Sequence, residues 1–120
     1  MNKILAIAML VATPAAAQDY SELVEASANL QGLAIVCEGV YPKQYKISIN
    51  KLVEVGYPIV VDAGKNTGLP TSYWVDQFNI EIMDSVKFWA QHRDQIHPLC
   101  EDLVNSKVLK GGFYRLGSTT

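Results

Sequence analysis

Apolar residues recur at helical spacing in the first amphipathic segment of the chain, residues 19 to 39. Asp19, followed three residues later by Glu22, is typical of the start of a helix. The apolar positions that follow are three or four residues apart and predict one core-facing stripe: Leu23, Ala26, Leu30, Leu33 and Cys37. Gly39 and Pro42 end this helix, so we expect Cys37 in its last turn.

The second segment, residues 42 to 56, fits two periodicities. Its YKISIN stretch alternates apolar and polar residues as a strand does, whereas Pro42 in a first turn and the length of the pattern favour a helix. The helical pattern comprises Tyr45, Ile49, Leu52, Val53 and Gly56. We therefore predict a helix here, followed over residues 57 to 70 by a long, partly buried connection rich in glycine. At most a two-stranded fragment is expected, near residues 57 to 62.

Two further segments are amphipathic. The third and longest begins at Thr71 or Ser72; Trp74 flanks its core stripe, which comprises Val75, Phe78, Ile82, Val86 and Trp89. The fourth runs from Pro98 to the glycines at 111 and 112, and its apolar face comprises Leu99, Cys100, Leu103, Val104 and Val108. The tail from about residue 111 has no periodicity and is predicted to be loose. Together the segments predict an all-α fold, a small bundle of about four helices.

The N-terminus has the pattern of a secretory signal peptide. Lys3 is followed by an apolar run from Ile4 to Ala12, by Pro14 and by three alanines. This predicts cleavage after Ala17, a signal peptide over residues 1–17 and a single helical domain over residues 18–120. The apolar run is too short to span a bilayer, because a spanning helix needs about 20 apolar residues. We expect an exported protein, periplasmic in a Gram-negative bacterium and otherwise secreted.

Charge excludes several kinds of partner. Without Lys3 the chain has 9 basic and 12 acidic residues, a formal charge of −3, with both signs interspersed. Such a chain offers no basic stripe for nucleic acid or for an anionic membrane. No cysteine lies near the predicted cleavage point, so no lipid anchor is expected there.

The two cysteines, Cys37 and Cys100, each precede an acidic residue and lie 63 positions apart. In an exported protein they predict a disulfide that joins the first helix to the fourth. A dithiol redox catalyst is less favoured, because its cysteines are usually close in sequence. His97 is the one candidate for a metal ligand, as part of an H-x-x-C pair, but a zinc site needs four ligands and the fourth would have to be Glu38, Glu101 or water. We predict no metal and no cofactor.

The sequence lacks several common catalytic and cofactor-binding motifs. It contains no E-x-x-H pair, no C-x-x-C-H, no G-x-S-x-G and no H-E-x-x-H. The remaining candidates are Glu81 with Asp84 on one helix face and His92 with Asp94. Both carboxylates project away from the apolar stripe, where a solvated face is the simpler explanation. We therefore expect a protein that is not an enzyme.

The third helix carries an unexpected second set of apolar residues. A projection at 100° per residue places Tyr73, Ile80 and Phe88 far from the core stripe, next to Gln77 and Asp84. Large apolar groups within a polar rim are typical of a protein-binding surface. The competing interpretation, slightly favoured because short bundles often fold loops over their longest helix, is that residues 57 to 70 or the tail cover this face.

These features favour a protein-interaction module, such as an inhibitor, immunity or adaptor protein, whose partner is another exported protein. One alternative is a carrier that holds a small apolar ligand between its helices. A second is a periplasmic stress chaperone, although the sequence offers only two histidines, His92 and His97, for a pH switch. The sequence does not define the oligomeric state.

Overall fold

The computed structural model describes residues 14–117, and the surroundings of side chains from Ala17 onward. Four helices and two short strands form in this range. In chain order they are α1 (Pro14–Val40), β1 (Tyr45–Ile47), α2 (Ile49–Thr67), α3 (Thr71–Gln91), a 3-10 turn (Arg93–Gln95), α4 (His97–Ser106) and β2 (Phe113–Arg115). The predicted all-α bundle is confirmed.

The three long helices pack side by side. Tyr20 contacts Trp74, and further along both helices Ser85 bonds to Asn29, so α1 and α3 run in the same direction. Gln31 bonds to Leu52 near the start of α2, whereas Tyr20 accepts a hydrogen bond from Asn66 near its end. Helix α2 is therefore antiparallel to both of the others.

The buried residues form two clusters along this bundle. One cluster lies between the three long helices, around Val24, Val60, Trp74 and Phe78. The other surrounds the disulfide, where α4 and the strands cover the end of the bundle, and comprises eleven buried residues that include Tyr45, Ile96 and Leu103. Helix α3 buries Trp74, Phe78 and Ser85 on the side that faces its neighbours. The rest of its surface is therefore available for contacts outside the core.

The disulfide between Cys37 and Cys100 is confirmed. The two Cα atoms are 5.9 Å apart, at the last turn of α1 and the first turn of α4. Both cysteines have no exposed surface. A covalent bond therefore holds the shortest helix against the end of the longest one.

Helix α1 differs from the prediction at its start. It begins at Pro14, so Asp19 lies inside the helix and is no cap. The alanines that follow Pro14 favour helix strongly, and proline is tolerated in a first turn, so the helix extends beyond the polar start signal. The predicted signal peptide lies outside the described residues except for these last four positions.

The predicted stripe of α1 is correct in its second half only. Leu33 and Cys37 are buried, whereas Leu23 is 46% exposed and Ala26 is exposed. In the first half the buried positions are Val24 and Ala28, because α2 and α3 contact α1 on that side.

The prediction for residues 42 to 70 is wrong in two places. The YKISIN stretch contributes β1, and α2 begins only at Ile49, with the Ser48 side chain accepting a hydrogen bond from the Lys51 backbone N–H. The helix then continues through Pro58, so the predicted connection and the strand fragment near 57 to 62 do not form. Burial of one stripe at helical spacing stabilises the helix more than the loop-forming residues disfavour it. The stripe comprises Leu52, Gly56, Val60, Ala63 and Thr67. Gly68 ends α2 with a φ of 79°, which glycine adopts readily.

The predicted loose tail is instead ordered at its start. Phe113–Arg115 pairs antiparallel with Tyr45–Ile47, with Tyr45 opposite Arg115. Phe113 is buried and stacks on Tyr45 with ring centroids 5.3 Å apart. A three-residue strand carries too little pattern to be detected in the sequence, and only its partner strand makes it stable.

Candidate functional site

The outer face of α3 carries three exposed large apolar side chains. Tyr73, Ile80 and Phe88 are 39%, 51% and 50% exposed. Neither α2 nor the β2 strand covers them, so the competing interpretation from the sequence does not describe this fold. We refer to these three residues as the outer face. Of the polar residues predicted to rim it, Asp84 is exposed and Gln77 is half-buried.

Phe88 is held in place by its neighbours. Its ring packs edge-on against Trp89, with centroids 4.9 Å apart, and at a low tilt against His92, with centroids 4.5 Å apart. His92 Nδ1 lies 2.8 Å from the Phe88 carbonyl oxygen, and the Trp89 indole N–H donates to Asn29 on α1. His92 thus closes the C-terminal end of α3, a structural role that differs from the acid-base role considered with Asp94. A ring fixed in this way loses little freedom when a partner covers it.

A groove of about 410 Å³ runs along the contact between α1 and α3 and ends at Phe88. The two helices approach closely because Gly32 lies against Ser85, where any larger side chain would overlap the serine. The Ser85 hydroxyl donates to the Asn29 backbone oxygen at 2.9 Å. Small or neutral side chains, those of Ala26, Asn29 and Ser85, are among the lining residues of the groove.

Four carboxylates line the same groove: Glu22 and Glu25 from α1, and Glu81 and Asp84 from α3. None of the lining residues is basic, and the three ion pairs found within residues 14–117 all lie elsewhere. Partial burial raises the pKa of Glu81, and the negative charges of Glu25 and Asp84 raise it further. The groove, which we call the acidic groove, therefore has a concentrated negative charge, and none of its lining residues takes part in these ion pairs.

Sequence reasoning identified only half of this site. It found Glu81 and Asp84 but interpreted them as a solvated face, and it missed Glu22 and Glu25. A signal for the missing pair exists, since Glu22, Glu25, Ala26 and Asn29 share one face of α1 at helical spacing. That face is polar, however, and no pattern within α1 indicates that α3 lies beside it.

The glutamates that follow the two cysteines have a different role, because both hold the small sheet. Glu38 accepts a hydrogen bond from the Ile47 backbone N–H at 3.2 Å. Glu101 accepts hydrogen bonds from the Tyr45 hydroxyl and from Arg115, the latter at 2.6 Å. In each Cys-Glu pair, the cysteine thus links α1 to α4 covalently, and the glutamate that follows accepts hydrogen bonds from residues of the small sheet beside the disulfide.

His97, the candidate metal ligand, belongs to this structural cluster. Its Nε2 atom lies 3.1 Å from the Gln44 side-chain oxygen, and its ring packs against Tyr41 with centroids 5.0 Å apart. Cys100, its partner in the H-x-x-C pair, is bonded to Cys37. Within the part of the chain described, no three histidine, cysteine or acidic side chains are placed to hold a metal ion.

A second groove, of about 150 Å³, separates α2 from α3 on another side of the bundle. Its walls are mainly apolar and include Val53, Tyr57, Val75, Phe78 and Ile82, while Gln31 and Asn79 are its polar members. Val53 and Tyr57 are more than half exposed. We call this surface the apolar groove.

Between Pro14 and Gly117, no helix is both long enough and apolar enough to cross a membrane. Comparison of the chain with models of protein families, with curated proteins and with solved structures found no match. The candidate site is therefore interpreted from its own geometry and charge.

Proposed function

We propose that the protein is a small exported interaction module that binds another exported protein through the outer face of α3. The observation that carries this proposal is the exposure of Tyr73, Ile80 and Phe88 on a helix whose opposite side is already buried. Aromatic and aliphatic anchors within a polar rim supply most of the binding energy at protein interfaces. Phe88 is fixed by Trp89 and His92, which is the arrangement expected of such an anchor.

The proposal of export rests on the N-terminal pattern and is supported by the disulfide, since disulfides persist mainly in oxidising compartments. Export can be tested by N-terminal sequencing of the protein recovered from the periplasm or the medium. The expected mature protein begins at Gln18. Recovery of the uncleaved chain in the cytoplasm, with both thiols free, would contradict export.

Site-specific photo-cross-linking tests the binding surface. A benzophenone amino acid replaces Ile80 or Phe88, one at a time, and each substituted protein is expressed in the cell of origin. We expect the same exported protein to be cross-linked from both positions, because both lie on the outer face. The control position is Asn50, which is exposed on α2. An absence of cross-linked protein at positions 80 and 88, or an equal yield of the same product at position 50, would contradict this surface.

A second candidate function, a carrier of a small apolar ligand, is favoured by the apolar groove. Its volume is below the roughly 300–1,000 Å³ of usual ligand sites, so it suits only a small ligand. Solvent extraction of the native protein followed by mass spectrometry would detect such a ligand. A Val75→Phe variant should fill the groove and reduce the recovered ligand, whereas unchanged recovery would contradict binding there.

A further inference from the structure

The acidic groove beside the outer face indicates what kind of protein segment fits there. We propose that the groove binds a cationic amphipathic helix of the partner, in which lysine or arginine side chains flank an apolar side chain that covers Phe88. This inference rests on the proposed function and adds the chemistry of the partner to it. Three features of the described residues support it.

The first feature is shape. The groove lies between two helices that run in parallel, and the small side chains of Ala26 and Ser85 are among its lining residues. An added helix packs well along such a groove, in the way that amphipathic peptides fill grooves between helices. The two carboxylates on each side then lie where the flanks of the added helix would be.

The second feature is charge. Glu22 and Glu25 face Glu81 and Asp84 across the groove, and none of the four belongs to an ion pair within the described range. This arrangement repels nucleic acid, anionic membranes and acidic proteins, and it attracts cationic side chains. Complementary charge sets partner choice and accelerates association more than it adds affinity.

The third feature is the apolar anchor. Phe88 lines the acidic groove and also belongs to the outer face, so one ring contacts both surfaces. A partner that supplied charge alone would leave this ring uncovered. An amphipathic helix satisfies both requirements, whereas a small polycation such as spermine satisfies only the first.

The test uses the oxidised protein as it is recovered after export, together with synthetic helical peptides. One peptide carries lysines on both flanks of a leucine stripe, a second carries glutamates in place of the lysines, and a third is a scramble of the first that lacks the stripe. Isothermal titration calorimetry measures binding at low and at high salt. We expect the cationic amphipathic peptide to bind with a dissociation constant that rises by about tenfold at high salt, and the other two to bind at least tenfold more weakly.

Variants assign this binding to the groove. The Glu25→Gln/Glu81→Gln double variant and the Phe88→Ser variant should each raise the dissociation constant for the cationic peptide by about tenfold. The matched control removes the same number of charges elsewhere, as Glu54→Gln/Asp102→Asn, and should leave the affinity unchanged. Any of three results would overturn the inference. The scrambled peptide could bind with equal affinity, spermine could bind as tightly as the amphipathic peptide, or the groove variants could bind the peptide no differently from the control. Sedimentation of the protein alone as a dimer that the groove variants dissociate would also overturn it, since the occupant would then be a second copy.

Failure of this inference can be told apart from failure of the proposed function. A partner that is cross-linked from position 88 with the same yield after Glu25 and Glu81 are neutralised would overturn the cationic helix and leave the interaction surface standing. An absence of cross-linking from positions 80 and 88 would overturn the proposed function itself.

Discussion

The hydroxyl of Tyr45 donates a hydrogen bond to Glu101 beside the disulfide, and Tyr45 has no exposed surface. Burial raises the pKa of Tyr45, and the contact with Glu101 raises it further. Hydrogen bonds from Tyr45 and Arg115 lower the pKa of Glu101. The stability of the sheet therefore depends on pH through both residues, through ionisation of Tyr45 at high pH and through protonation of Glu101 at low pH.

This pair predicts a loss of stability at both ends of the pH range. Because the Tyr45 pKa is raised in the folded state, its contribution is complete below the ordinary value of 10.0 and is lost as the pH rises above it. Because the Glu101 pKa is lowered, its contribution is complete above the ordinary value of 4.5 and is lost as the pH falls below it. Tyr45→Phe should flatten the alkaline limb, and Glu101→Gln the acid limb, of melting temperature against pH measured by circular dichroism. An alkaline limb of unchanged steepness in the Tyr45→Phe variant would count against this assignment.

Reduction of the disulfide should destabilise the protein strongly. Cys37 and Cys100 close a loop of 63 residues, for which the chain-entropy model gives about 4 kcal/mol as an upper value. This is a large share of the stability of a small domain. Urea unfolding with and without reductant, and of a Cys37→Ala/Cys100→Ala variant, measures the loss. Coincident unfolding curves for the oxidised and reduced protein would refute the prediction.

Gly32→Ala should destabilise the contact between α1 and α3. The added methyl group would overlap the Ser85 side chain and lie 3.1 Å from the Val86 backbone nitrogen, so the helices would have to separate. We expect a loss of about 1–3 kcal/mol in the free energy of unfolding. Gly39→Ala is the matched control, because a methyl group there meets nothing within 4 Å and alanine favours helix by about 0.5–1 kcal/mol. Similar effects at both positions would show that the contact is not tight.

Neighbouring positions on α3 should respond differently to the same substitution. Phe78 is 6% exposed and Ile80 is 51% exposed. Phe78→Ser should cost about 3–5 kcal/mol and unfold much of the protein, whereas Ile80→Ser should change the free energy of unfolding by less than about 1 kcal/mol. Thermal melts of both variants measure the difference. A large loss at Ile80 would place that side chain in the core and remove it from the proposed binding surface.

The ordered C-terminal strand makes a similar contrast possible. Phe113 is 5% exposed and stacks on Tyr45, whereas Tyr114 is 42% exposed on the other side of the strand. Phe113→Ala should lower the free energy of unfolding by about 3–5 kcal/mol, and Tyr114→Ala should lower it by less than about 1 kcal/mol. Urea unfolding of the two variants checks this, and equal, small effects would mean that the strand contributes little to stability.

Much of this fold is present in local patterns of the sequence. The 3.6-residue periodicity of α3 was enough to separate buried Phe78 from the exposed Tyr73, Ile80 and Phe88, because a helix fixes the relative direction of its own side chains. The disulfide also followed from the sequence, since two cysteines in a chain that was expected to be exported predict a bond between them. In both cases the information lies within one element or one residue type.

The tertiary structure decided the rest, because the relevant contacts join residues far apart in the chain. Helix α2 continues past Pro58 since burial of its stripe by α1 and α3 outweighs the local preference for a loop. The strand at Tyr45 forms only because Phe113 returns to pair beside it. Likewise, Glu25 and Glu81 face one groove only because α1 and α3 pack in parallel, and no periodicity within one helix specifies the direction or the identity of its neighbour.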